Sequence, residues 1–266
     1  MTTFLGVDLG WYGKPSGLAS IELDGSTLRL RNIARLEPVR EILAWIESEA
    51  GTGSAVAGVD APLVIPNPSG IRSAERGLNA DFRRFHAGCH AANLGRPFAA
   101  NVIGFSRRLE AIGFRHGAAM EPRQPGRFQI EIHPHAATVS LFGLDRIVKY
   151  KRGTRDERAS GLRRLRSLML SRLPALEPPL RFGLPAVPRT GSTKPAEDQI
   201  DAVLCAYIAA HWWFWGTERN RVYGAESEGY IVVPRPAAAT SPPRNSAARS
   251  PRDAAGDLPG APPACR

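Results

Sequence analysis

The sequence has few cysteines and no long apolar segment, and both absences limit the classes of protein that it resembles. Its 266 residues include three cysteines, Cys89, Cys205 and Cys265, and their spacing suits neither a disulfide framework nor a zinc site. No run approaches the roughly 20 apolar residues that a membrane span needs. The N-terminus has no basic region followed by an apolar one, as a signal peptide would. These features predict a cytoplasmic protein with reduced thiols and no membrane contact.

The composition is otherwise that of a globular protein with an excess of positive charge. Hydrophobic residues make up 43% and charged residues 23% of the chain, and the formal net charge is +10. A basic surface suits a polyanionic partner, so nucleic acid, either DNA or RNA, is the expected partner. Residues 237–266 contain almost no large apolar side chain, and burial there cannot offset the entropy lost on ordering. We therefore predict one folded domain over residues 1–236 and a disordered tail over 237–266.

Two strand-like segments end in the same way, with Gly-Val-Asp. The first strand, residues 4–10, contains Asp8, and Asp60 follows an apolar run that begins at Ala55. Aspartate is disfavoured inside strands because its carboxylate competes for backbone hydrogen bonds. Each aspartate alone is equally explained as a turn residue. Together they indicate a site, because ligands of open α/β sheets bind at the carboxyl ends of the strands.

Two further acids lie in segments that are expected to be buried. Glu131 lies between isoleucines of a predicted central strand, where an unpaired carboxylate is costly, so a cation or proton donor is expected beside it. The last long helix is predicted over residues 195–213. Its first turn contains Asp198, which the helix dipole explains, whereas Asp201 lies a turn further in on the shoulder of the apolar stripe. The dipole explains Asp201 least well.

Apolar periodicity predicts the remaining elements. Strands are expected at 18–23 and 28–36, joined by an Asp24-Gly25 turn, then a helix at 38–49 and strands at 55–60, 128–134 and 229–234. A helical insertion is expected over about 62–128, and helices begin near residues 135 and 158.

Several basic and metal-ligating residues lie between these elements. Arg72 in the insertion, and Lys149 and Lys151 in a basic loop, are candidate phosphate contacts, although a solvated helix face is the favoured explanation of the arginines of the insertion. His86, Cys89 and His90 lie close together but have no fourth ligand at the right spacing. His133 is either a proton shuttle or ligand, or a histidine bonded to the backbone at the end of its strand.

Taken in order, these motifs resemble the domain-of-unknown-function 429 family over roughly residues 3–235. The segments that carry the resemblance are residues 6–8, 58–62, 131–134, 149–151, 197–202 and 229–231. Members of that family are described as predicted nucleases with a ribonuclease H-like fold. The resemblance implies an α/β protein with a mixed sheet in the order β-β-β-α-β-α-β-α and a helical insertion after the fourth strand.

The chemistry of the acids leads to the same expectation. Asp8, Asp60, Glu131 and either Asp198 or Asp201 would converge at one edge of the sheet, where carboxylates repel one another unless a cation intervenes. Oxygen ligands suit Mg²⁺ or Mn²⁺, which activate water and stabilise the leaving oxygen in phosphodiester hydrolysis. The sequence therefore predicts a metal-dependent nuclease or phosphodiesterase. Its catalytic residues would be Asp8, Asp60, Glu131 and Asp201, and its metal ligands Asp8, Asp60, Asp198 and Asp201.

Two other functions remain open at this point. Asp8-x-Gly10 followed by Lys14 resembles the first phosphate loop of actin and sugar kinases, which transfer phosphate from ATP. Those proteins pair two such domains, and this chain is short for two. The third hypothesis is a nucleic-acid-binding module that keeps the fold without catalysis. ATP turnover would favour the second hypothesis, and metal-independent binding without cleavage the third.

Overall fold

Three antiparallel strands open the fold. They are β1 (Thr2–Asp8), β2 (Ser16–Asp24) and β3 (Thr27–Leu36). The turn after Asp24 places Gly25 at a φ of 61°, a conformation that glycine adopts without steric cost. The predicted meander is thus confirmed. This computed structural model describes residues 2–235, so the tail predicted over 237–266 lies outside the described residues.

Six helices and six short strands make up the regular elements of the rest of the described chain, apart from short 3-10 turns. The helices are α1 (Val39–Ala50), α2 (Ser73–Phe82), α3 (Ala99–Ala111), α4 (Pro134–Phe142), α5 (Arg155–Arg172) and α6 (Lys194–Trp215). The strands are β4 (Ser54–Val59), β5 (Arg115–His116), β6 (Arg127–Glu131), β7 (Leu180–Arg181), β8 (Asn220–Ala225) and β9 (Gly229–Pro234). Within this part of the chain, no helix is both long and apolar enough to cross a membrane.

The main sheet brings the ends of three acid-bearing strands to one edge. Its seven strands lie in the order β5-β6-β4-β1-β2-β3-β7, and β1, β4 and β6 run parallel. Val7 pairs with Val59, so Asp8 and Asp60 each follow directly after a paired residue. Val59 also pairs with Glu131 on its other side. The register therefore sets Asp8 and Asp60 at the same level of the sheet and Glu131 one residue before them, level with Val59.

Helix α6 crosses one face of this sheet in direct backbone contact. A Cβ atom on Gly6 would lie 1.9 Å from the carbonyl oxygen of Ala202, and one on Gly17 would lie 1.9 Å from that of Asp198. Only glycine permits this approach, which brings Asp201 close to the ends of the strands. Helices α1 and α3 cover the opposite face through buried side chains that include Ile42, Ile46, Val102, Phe105 and Leu109.

The insertion between β4 and β6 is less purely helical than the sequence predicts. It contains α2 and α3, but also β5, which pairs in parallel with β6 at the edge of the sheet. The predicted strand at 229–234 is present as β9, yet it pairs with β8 in a separate two-stranded sheet, and an isolated bridge between Ile132 and Val232 links it to the residue after β6. Strands of two residues, such as β5 and β7, have no periodicity to detect.

Candidate functional site

Asp8 and Asp60 lie on the wall of a cavity of about 790 Å³ at the carboxyl edge of the sheet. Both side chains are half-buried. Burial raises the pKa of Asp8 well above its ordinary value; Lys151 opposes this shift, and Asp201 and Asp60 add to it. Burial likewise raises the pKa of Asp60 to about 6. These two carboxyl groups are therefore unusually costly to ionise without a nearby cation.

Asp201 belongs to the same cluster, but it is positioned by a helix and not by a strand of the sheet. It is fully buried on α6, and its charge contributes to the raised pKa values of Asp8 and Asp60. The Tyr150 hydroxyl donates a hydrogen bond of 2.9 Å to Oδ1, and Lys151 Nζ lies 2.8 Å from Oδ2. The Lys151 contact is an ion pair without hydrogen-bond alignment, so Oδ2 has no hydrogen-bond partner among the described residues.

Lys151 supplies the positive charge of this cluster. Burial lowers its pKa, but Asp201, Tyr150 and the two cavity aspartates together outweigh burial and raise the pKa well above its ordinary value. The ammonium group is therefore charged, and a third of the side chain, 33%, is exposed. Lys149, two residues earlier, is exposed on the wall of the same cavity.

Asp198, the other helix acid predicted as a metal ligand, is placed differently. Arg35 Nε donates a hydrogen bond of 2.9 Å to its Oδ2, and Lys194 Nζ lies 2.7 Å from its Oδ1. Both of its carboxylate oxygens are thus paired with cations. Of the two helix acids that the sequence left open, Asp201 is the one that the structure brings to Asp8 and Asp60.

Glu131 has the cation that its burial requires, and that cation is Arg72. Arg72 Nη1 and Nη2 donate hydrogen bonds of 2.9 and 2.6 Å to Glu131 Oε2 and Oε1, and the Leu63 backbone N–H adds a third of 3.0 Å. Burial raises the pKa of Glu131 to about 7, although Arg72 and the Leu63 amide lower it. Both oxygens of this predicted catalytic acid are therefore occupied by protein donors.

Arg72 was expected to contact substrate phosphate, and the structure assigns it a different role. Besides Glu131, it donates to Glu75 Oε1 at 2.8 Å and to the Val64 carbonyl at 2.7 Å, and its side chain is 1% exposed. A guanidinium whose donors are already used inside the protein has little left for a ligand. Arg72 is thus a structural partner of Glu131 at the border of the cavity.

Four histidines form another part of the cavity wall. His86 and His90 come from the insertion, and His133 and His135 from the start of α4. His133 Nε2 lies 3.2 Å from the Ala87 carbonyl and donates to it, as in the backbone-bonded alternative. Burial lowers the pKa of His133 to about 4 and that of His135 to about 3, so both rings are neutral.

The sequence pointed to the group His86, Cys89 and His90 and, separately, to His133, and gave no sign that the two converge. His135 was missed, and its only signal was its position two residues after His133. No group of three or more His, Cys, Asp or Glu side chains within residues 2–235 is arranged to hold a metal ion. Lys14, the residue behind the kinase-like alternative, is exposed and does not line the cavity.

Comparison with known proteins assigns a family. No curated protein is significantly similar in sequence to this chain. A model described as a protein of unknown function (DUF429) matches residues 6–228, a range that contains β2 to β8, the insertion, and the acids described above. The chain therefore belongs to the DUF429 family.

Proposed function

We propose that the protein hydrolyses phosphodiester bonds with the help of divalent cations, Mg²⁺ or Mn²⁺, held by Asp8, Asp60 and Asp201. The observation that carries the proposal is the clustering of these three acids at one sheet edge, where burial and mutual repulsion raise the pKa values of Asp8 and Asp60. A protein gains no stability from such a cluster. Its cost is explained if the cluster binds cations during function.

The donor types suit these ions, although the three carboxylates are not arranged around a metal position in the metal-free protein. All three groups offer carboxylate oxygens, which Mg²⁺ and Mn²⁺ prefer to nitrogen or sulfur. Asp8 and Asp60 line the cavity, and Asp201 Oδ2 has no hydrogen bond within residues 2–235. When bound, such ions lower the pKa of a coordinated water and stabilise the leaving oxygen of a phosphodiester.

The topology supports a ribonuclease H-like fold as part of this proposal. Strands β1 to β3 are antiparallel neighbours, α1 follows them, and β4 and β6 then add in parallel beside β1. This is the order that the sequence led us to expect. Strands β5 and β7 extend the two edges, and α6 brings the last acid to the face beside β1.

Other residues of the cavity have supporting roles. Lys149 and Arg152 are exposed on its wall and offer positive charge to a phosphate group. The Arg72–Glu131 pair binds the Leu63 amide and so fixes the segment just after Asp60. The net charge of +10 favours a polyanionic substrate, and we propose nucleic acid.

Cleavage assays test this function directly. The wild-type protein should cleave end-labelled DNA or RNA, single- or double-stranded, or bis(p-nitrophenyl) phosphate, in Mg²⁺ or Mn²⁺ and not in EDTA. Asp8→Asn should lower the rate by about 10²-fold or more, because the metal ligand set loses a charge. Asp24→Asn, an exposed acid at the far end of β2, is the matched control. Cleavage that persists in EDTA, or no cleavage of any of these substrates, would contradict the proposal.

A nucleic-acid-binding module without catalysis is the second candidate. It is favoured by the ion pair of Lys151 with Asp201, which gives the cluster a cation of its own. In either case binding to an oligonucleotide should weaken steeply with salt, because phosphate contacts release counterions. Lys149→Ala should make that dependence shallower. Metal-independent binding with no cleavage would favour the second candidate.

A further inference from the structure

Asp201 is separated from the cavity by two residues of the basic loop. Tyr150 and Lys151 line the cavity, whereas Asp201 does not. Each of the two contacts one oxygen of the Asp201 carboxylate, at 2.9 Å from the hydroxyl and 2.8 Å from the ammonium group. The third acid of the cluster is thus covered on the side from which a ligand would arrive.

A divalent cation that enters the cavity would meet Asp8 and Asp60 first and would find Asp201 already paired. The same carboxylate oxygen cannot keep a close ammonium contact and also coordinate a metal ion, because two cations at that distance repel each other strongly. Tyr150 is buried, with 2% exposure, but Lys151 has a third of its side chain in solvent. Of the two residues, Lys151 is therefore the one whose side chain has room to move away from Asp201.

The loop backbone around Lys151 is fixed at both ends. Gly161 of α5 packs directly on the Lys149 carbonyl, since a Cβ there would lie 1.9 Å from that oxygen. Thr154 caps α5 in a reciprocal arrangement with Glu157. Release of Asp201 is thus a movement of the Lys151 side chain rather than of the whole loop.

We propose that Lys151 is a cation gate: its ammonium group occupies Asp201 in the metal-free protein and must be displaced before Asp201 can bind a divalent cation. This inference rests on the proposed function, because it assumes that the acid cluster binds metal. The displaced ammonium group stays on the cavity wall, where a substrate phosphate can take it as a partner. Lys151 is then a residue that sets metal affinity, beyond its predicted role as a phosphate contact.

Metal titration of three variants tests the gate. Mn²⁺ binding to the full chain is measured by calorimetry for the wild type, Lys151→Met, Tyr150→Phe and Arg152→Met. If the gate is closed about 90% of the time, Lys151→Met should bind Mn²⁺ about tenfold more tightly, because apparent affinity falls with the fraction of binding-competent protein. Arg152→Met removes the same charge from the next residue and should change affinity much less. Tyr150→Phe removes only a neutral donor, and a gain there would show that uncovering Asp201 matters in addition to charge.

A measurement on the wild-type protein keeps the inference testable if Lys151→Met does not fold. Reductive methylation followed by mass spectrometry reports how freely each lysine amine reacts. Saturating Mn²⁺ should raise the labelling rate of Lys151 several-fold, since its ion pair is broken, and should leave the exposed Lys14 unchanged.

The outcomes separate the gate from the function. If the wild type binds Mn²⁺ but Lys151→Met binds it no more tightly, the gate proposal is wrong, while the proposed metal site is not contradicted. The same holds if Arg152→Met gains as much Mn²⁺ affinity as Lys151→Met. Labelling of Lys151 that does not rise with Mn²⁺ would likewise contradict the gate without contradicting the metal site. If no variant binds Mn²⁺ or Mg²⁺, the gate and the metal-dependent function are both wrong.

Discussion

Arg72 and Glu131 form a buried bidentate ion pair between residues that are 59 positions apart in the sequence. The guanidinium comes from the start of α2 in the insertion, and the carboxylate from the end of β6 in the sheet. Their side chains are 1% and 4% exposed. The pair therefore fastens the insertion to the edge of the sheet where Asp8 and Asp60 lie.

Removal of Arg72 should destabilise the protein strongly. Arg72→Met leaves the Glu131 carboxyl buried without its cation, and breaking a buried pair in this way typically costs about 3–5 kcal/mol. Arg76→Met, an exposed position one turn further along α2, is the control and should change little. Urea denaturation measures both free energies of unfolding. The double change Arg72→Met with Glu131→Gln should recover part of the loss, and a loss below about 1 kcal/mol for Arg72→Met alone would contradict the assigned role.

The contact between β1 and α6 should not tolerate a methyl group. In Gly6→Ala the new Cβ would lie 1.9 Å from the Ala202 carbonyl oxygen and 2.3 Å from the Ala206 nitrogen, so backbone must move. We expect a loss of at least about 2 kcal/mol, toward the upper part of the range for overpacked cores. Gly183→Ala, where no atom lies within 4 Å of the new Cβ, is the matched control. Thermal or urea unfolding compares the two, and equal stability of both variants would show that α6 does not pack this closely.

Asp60 should give the metal-free protein a pH-dependent stability. Burial raises the pKa of Asp60 from its ordinary 3.8 to about 6, so the folded state binds more protons than the unfolded state between these values. Its stabilising contribution is therefore complete below about pH 4 and is lost as the pH rises through about 6.

The variant Asp60→Asn isolates this contribution. In EDTA, its stability relative to the wild type should increase from pH 4 to pH 7, as measured by urea denaturation at each pH. Asp24→Asn, at an exposed salt bridge outside the cavity, serves as the control. A difference between Asp60→Asn and wild type that is flat over this interval would mean that Asp60 ionises without penalty.

The strand-borne part of the acid cluster could be located from the sequence because it depends on local patterns. Asp8 and Asp60 each end an apolar strand, and parallel pairing of those strands brings them together. Asp201 stood out because no local cause explained it on its helix. The partners of the acids could not be predicted from the sequence, because the Arg72–Glu131 and Lys151–Asp201 pairs join segments that only the folded chain brings into contact. For the same reason, the sequence could not show that His86 and His90 lie with His133 and His135 in one cavity.

Replacement of Asp8 should distinguish a cluster that binds metal from one that is merely structural. In the metal-free protein, Asp8, Asp60 and Asp201 repel one another, and the raised pKa of Asp8 reflects burial together with that repulsion. Asparagine keeps nearly the same shape and removes the charge. Asp8→Asn should therefore be slightly more stable than the wild type near neutral pH in EDTA, as is common when a functional site stores unfavourable charge.

The stabilisation that metal gives the protein, in contrast, should be lost in Asp8→Asn. A ligand that binds only the folded state stabilises it by mass action, by about 2.7 kcal/mol at a concentration of 100 times its Kd. Mn²⁺ should therefore raise the melting temperature of the wild type and have little effect on Asp8→Asn. If Asp8 were instead a structural residue, asparagine would destabilise the metal-free protein and leave any response to Mn²⁺ intact. Thermal melts of the two proteins, each in EDTA and in Mn²⁺, separate these cases, because the two explanations predict opposite signs for the stability difference in EDTA and a lost or an intact response to Mn²⁺.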